Sequence, residues 1–221
     1  MRRINRWSLL ACAGAVSLLA ACGSMSGAKT GTSYFVTSTN PGQGGDLGGL
    51  AGADAHCQKL ASAAGAGNRT WRAYLSAQPV AGQPGVNARD RIGKGPWQNA
   101  KGVVVATDIE QLHAANNITK QTALTESGAV VSGRGDTPNQ HDVLTGSQPN
   151  GTFIAGDANS SCSNWTLSSG GAAMVGHHDR TGLDESVPAK SWNSSHQSRG
   201  CSGDQLQASG GAGLFYCFAA D

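Results

Sequence analysis

The sequence predicts an α+β domain, and three observations carry that reading. Leu50, Ala53, Cys57, Leu60 and Ala64 recur at helical spacing in one early segment. The apolar segments after it are short and strand-like, Thr70-Trp-Arg-Ala-Tyr-Leu-Ser76 being the clearest alternation. Turn-rich stretches separate them, and 32 glycines among 221 residues imply more loop than regular structure.

The chain opens on a segment that is set aside from the fold. Arg2, Arg3 and Arg6 precede an apolar run from Ser8 to Ala21, which is too short to span a bilayer and reads as a signal-peptide core. The run ends in Leu19-Ala20-Ala21-Cys22-Gly23, which resembles a bacterial lipobox. That resemblance implies cleavage before Cys22, diacylglycerol on its thiol and an acyl chain on its new amino group; two or more acyl chains hold where one would not. Ser24, where an Asp would favour the inner membrane, points to the outer membrane. Residues 22–33 read as a tether, and 34–221 as one domain.

The elements follow in order. Ser33–Thr37 reads as a first strand, and the early helix ends near Gly65 to Gly67. Gly102–Ala106 is a short strand, and Asp108 caps a brief helix through His113. Further strands are expected at Val130-Val131, Val143-Leu144, Ala172 to Val175 and Leu214 to Phe218.

Charge limits the partners. The chain carries 16 Lys+Arg and 14 Asp+Glu; removing the three arginines of the leader leaves 13 against 14. A nearly neutral domain lacks the basic footprint of a nucleic-acid binder. Of six cysteines, Cys12 leaves with the signal and Cys22 carries lipid. The remaining four, Cys57, Cys162, Cys201 and Cys217, are expected in disulfides because the protein is exported, and three pairings are open.

Several segments, taken in order, resemble the C-type-lectin-like domain. They are Asp46–Cys57, Thr70–Ser76, Gly146–Gly151, Cys162-Ser-Asn-Trp165, Gly176–Asp179, Ser191-Trp-Asn193 and Leu214–Cys217. Within that superfamily the chain is most similar to proteobacterial proteins labelled lectin, related to the endostatin branch. The resemblance implies nested pairs, Cys57–Cys217 and Cys162–Cys201. It also implies a calcium-dependent saccharide site at Gln148-Pro149-Asn150 and Trp192-Asn193-Ser194. Calcium prefers several charged oxygens, whereas Gln148, Asn150 and Asn193 offer amides and Asp157 is the one carboxylate at hand. A weak calcium site at these four residues is the expectation, and no cofactor is required.

Other residues offer surfaces or donors for the same role. Trp192 beside that loop could present a platform for a sugar face, while Trp71 and Trp97 read as core and Trp165 is open. His177, His178, Asp179 and His196 are zinc-type donors. Adjacent histidines on a strand point to opposite faces, so at most one of His177 and His178 could join His196. Solvated or hydrogen-bonded loop histidines are the expected reading there. No nucleophile elbow, metalloprotease helix or phosphate loop is present, so no catalytic residue is assigned. The expected function is a lipid-anchored, extracytoplasmic binding module for a glycan or other extracellular polymer. The alternative is a protein-binding adhesion or envelope scaffold that uses neither sugar nor metal.

Overall fold

The computed structural model describes Met1 and residues 31–156 and 160–221. Residues 2–21 of the leader, the acylation candidate Cys22 and the calcium candidate Asp157 lie outside the described residues. In chain order the elements are β1 (Tyr34–Val36), α1 (Gly49–Ala63), β2 (Trp71–Ala73), β3 (Trp97–Gln98), β4 (Val104–Ala106) and α2 (Ile109–His113). They continue with β5 (Asp142–Leu144), α3 (Cys162–Trp165), β6 (Met174–His177), β7 (His196–Gln197), α4 (Gly203–Ser209) and β8 (Gly211–Ala219). The layout is α+β, as expected, with short elements joined by long loops. No helix of the described residues is long and apolar enough to cross a membrane.

β8 organises the main sheet. Its C-terminal half pairs antiparallel with β1 and β2, its first half pairs parallel with β5, and β6 and β7 extend the sheet beyond β5. Successive side chains of a strand point to opposite faces, so the run Leu214-Phe-Tyr-Cys-Phe218 feeds two cores. Phe215 and Cys217 meet Phe35, Ala53, Trp71 and Trp165 beneath α1. Leu214, Tyr216 and Phe218 meet Tyr34, Tyr74, Trp97 and Trp192 on the other face.

Two disulfides tie this together. Cys57 of α1 is bonded to Cys217 of β8, and Cys162 to Cys201. The first closes a span of 160 residues and the second one of 39. α1 is also fixed by charge: Asp54 accepts from the Ala73 amide at 2.9 Å and from Arg91 and Arg72 at 2.8 and 3.0 Å. α3 is a left-handed turn, with φ between 45° and 68° at all four residues. Such a backbone costs about 1–2 kcal/mol per residue. It is held by the Cys162 bridge and by Trp165, whose indole donates to the Ser76 carbonyl at 2.8 Å.

Three expectations need correction. Val130-Val131 forms no strand; Val130 makes only an isolated bridge to Leu124. The strand expected at Ala172 to Val175 runs instead from Met174 to His177, which takes His177 out of the loops and into the sheet. Trp192 is no sugar platform: it is 3% exposed and packs 4.8 Å from Tyr74 and 5.2 Å from Tyr216, ring centre to ring centre. Filling the second core removes more apolar surface from water than stacking on a ligand would, and only tertiary packing decides between them.

Candidate metal centre

The register of the short strands brings one acid and three histidines together. Asp142 of β5 is the cross-strand partner of His177 on β6. His196 of β7 is paired with Val175, two residues before His177 on the same face, so it is the diagonal neighbour of His177. His141, the residue just before β5, completes the group, and its ring lies against that of His177 with centres 4.2 Å apart.

All three imidazoles aim the same atom at the same oxygen. The Nε2 atoms of His141, His177 and His196 stand 3.2, 3.3 and 3.5 Å from Asp142 Oδ1. The far side of two of the rings is fixed. His177 Nδ1 is 2.7 Å from the Ala189 carbonyl, and His196 Nδ1 is 3.0 Å from the Gln197 carbonyl. Carbonyls only accept, so in both rings Nδ1 carries the proton and a neutral ring turns its Nε2 lone pair toward Asp142. His141 Nδ1 faces Asp179 Oδ1 at 3.5 Å.

Backbone packing holds these rings in place. A Cβ added at Gly176, between Val175 and His177, would stand 1.9 Å from the Trp192 carbonyl oxygen. Gly210, with φ 115°, ends α4 and lies against the His141 ring, where a Cβ would come within 2.9 Å. Both positions need glycine, one for a close backbone approach and one for the left-handed conformation as well.

The electrostatics do not close without a cation. His141, Asp142 and His177 are each at most 3% exposed. Among the described residues no donor reaches either Asp142 oxygen in hydrogen-bond alignment, and His177 Nε2 is likewise unmatched. Burial pushes the Asp142 carboxyl up, but the His177 and His196 imidazoles outweigh it and hold the group below its usual range. Asp142 in turn raises His196 above the ordinary histidine value. Asp179, although burial opposes it, is drawn down to about 2 by His141 and by the Arg134 and Thr181 amides. One buried carboxylate can neutralise one imidazolium; three crowded rings could not all be charged around it.

A divalent ion could stand in place of a proton here. Ligating atoms of His141, Asp142 and His177 lie within 4.8 Å of one another. A tetrahedral zinc with bonds of about 2.0–2.1 Å places its ligands about 3.3–3.4 Å apart, close to the spacing between each Nε2 and Asp142 Oδ1. The carbonyls on His177 and His196 are partners of the kind that orient metal-bound histidines. The donor set is nitrogen-rich, which suits zinc and disfavours calcium.

The centre opens to the surface. A cavity of about 530 Å³ is lined by His141, His177 and His196 and by Arg134, Leu183 and Arg199, among others. His196 is the exposed member, with 42% of its side chain accessible.

No family model and no curated protein matches the chain. The site therefore stands on its own geometry.

The other expected site residues are placed differently. Asn193 is buried, and its amide nitrogen lies 2.9 Å from the Tyr74 hydroxyl and 3.1 Å from the carbonyls of both Gln148 and Pro149. Two of those partners only accept, so Asn193 presents NH2 to the Gln148–Asn150 loop, and its oxygen turns instead to Ser191. Gln148 donates to the Phe153 carbonyl, and Asn150 Oδ1 accepts from Thr152. Among the described residues these amides shape a turn, and their oxygens do not converge as calcium ligands must. His177 and His178 do part to opposite faces: His177 joins His196, while His178 reaches the Ser132 carbonyl at 3.2 Å. Burial lowers the His178 pKa. Sequence reading missed His141 and Asp142 as members; their one signal was a His-Asp pair directly before the Val143-Leu144 strand.

Proposed function

We propose that this domain is a zinc-dependent binding module of the bacterial cell envelope, with the ion held by His141, Asp142, His177 and His196. One observation carries the reading: Nε2 of three histidines stands 3.2, 3.3 and 3.5 Å from one buried carboxylate oxygen, with the ligating atoms of His141, Asp142 and His177 within 4.8 Å of one another and His196 at the open edge of the group. The C-type-lectin-like assignment belongs to the same proposal. It is supported by the nested disulfides and by α1 bonded to the last strand. The envelope setting is supported by the leader, by Cys22 in its lipobox-like context and by two disulfides, which persist in oxidising compartments.

The metal replaces the aromatic platform as the basis of recognition. Trp71, Trp97, Trp165 and Trp192 are all buried, so among the described residues no tryptophan is available to stack on a sugar. A ligand is taken instead through the cavity above the histidines.

Zinc titration against a competing chelator tests the reading. The expected result is one ion per chain, with affinity reduced at least tenfold in His196→Ala and further in His177→Ala. His196 is partly exposed, so its alanine variant keeps the fold and isolates the ligand role. Wild-type affinity in His196→Ala and His177→Ala together would overturn the proposal.

A further inference from the structure

We infer that the cavity above the proposed zinc takes a small ligand bearing an oxyanion, a carboxylate or a phosphate. Two exposed arginines, Arg134 and Arg199, line the same cavity as His141, His177 and His196. Among the described residues no carboxylate or carbonyl pairs with either guanidinium, although both backbones are anchored. The Arg134 amide donates to Asp179 at 2.6 Å, and the Arg199 amide to the Ser209 hydroxyl at 2.8 Å. Two tethered, unmatched forks over a cationic floor form a complementary seat for an oxyanion, which an arginine can bind with two parallel hydrogen bonds.

Charge on the lining is one-sided. The only acid among the lining residues is Asp184, and its carboxylate is engaged by the Ser186 amide at 2.9 Å. Asp142 lies beneath the histidines, where zinc would more than cancel it. The lining also has an apolar part, Leu183, Pro188 and Ala189, with Leu183 87% exposed. A volume of about 530 Å³ matches a metabolite-sized ligand with a charged head and a less polar body. The inference rests on the metal reading for its third positive contact.

The experiment is calorimetric titration of the zinc-loaded protein with four probes: galacturonate, benzoate, inorganic phosphate and, as neutral control, galactose. At least one oxyanion should bind, and galactose should bind at least tenfold more weakly. Arg134→Gln with Arg199→Gln should weaken oxyanion binding about a hundredfold while zinc content stays at one per chain, since each lost charge-assisted contact is worth about tenfold. Both arginines are exposed, so the double variant keeps the fold. Full zinc with no oxyanion bound, or oxyanion binding unchanged in the double variant, overturns this inference and leaves the metal reading standing. Oxyanion binding that needs the arginines in a protein that takes up no zinc upholds the cationic seat and overturns the metal reading.

Discussion

Asp142 and His177 face each other across β5 and β6, and the carboxylate oxygen of one lies 3.3 Å from Nε2 of the other in a buried setting. Because the Ala189 carbonyl takes the Nδ1 proton of His177, a neutral ring meets the carboxylate lone pair to lone pair. Two acceptors at that distance repel. The pairing is stable only with a positive charge between them, a proton or a metal.

That choice gives zinc affinity a pH dependence. Asp142 raises the His196 pKa, so the metal-free protein holds this proton to higher pH than a free histidine does. The stability it contributes is full below about pH 6.5, the ordinary histidine value, and is lost as pH rises through the raised one. Zinc must displace the same proton. Affinity should therefore fall between pH 8 and 6, the slope approaching about tenfold per pH unit below the raised His196 value, by mass action with one proton released. Chelator competition at the two pH values measures it, and a flat profile would mean that His196 does not ligate.

Asp54 is expected to be structural. Removing it in Asp54→Ala leaves Arg91, only 12% exposed, as a buried charge without its partner. Breaking a buried pair from one side costs about 3–5 kcal/mol. Denaturant unfolding should show that loss, and zinc stoichiometry in the folded fraction should stay at one.

Trp192→Ala should behave as a core truncation. Its indole fills the space among Tyr74, Tyr216 and His113, so the expected loss is about 3–5 kcal/mol of stability. A variant that melts like the wild type but loses ligand would restore the platform reading.

Cys22 should carry lipid in the mature protein. Mass spectrometry of the N-terminal peptide from membranes is expected to show an acylated Cys22 as the first residue. Cys22→Ser should release a folded protein. An unmodified N-terminus elsewhere would remove the anchor.

Parts of this fold were legible because local pattern decides them. The periodicity of Ala53 and Cys57 gives α1, and the apolar run at Leu214–Phe218 gives the centre of β8. The site was legible only in halves. His177 and His196 stood out, and strand geometry already separated His177 from His178. His141 and Asp142 join them through strand pairing across more than 30 residues, and register between such short strands leaves no local trace. The Asn193 amide misled for a related reason: in sequence it is an oxygen donor, while in the fold Tyr74, Gln148 and Pro149 recruit its nitrogen.

Crystals of the zinc-soaked protein, measured on both sides of the zinc absorption edge, test the central claim most directly. One anomalous peak is expected, about 2.0–2.1 Å from Nε2 of His141, His177 and His196 and from a carboxylate oxygen of Asp142. A fully ordered site with no anomalous peak there, and Asp142 instead hydrogen-bonded to protonated imidazoles, would contradict it.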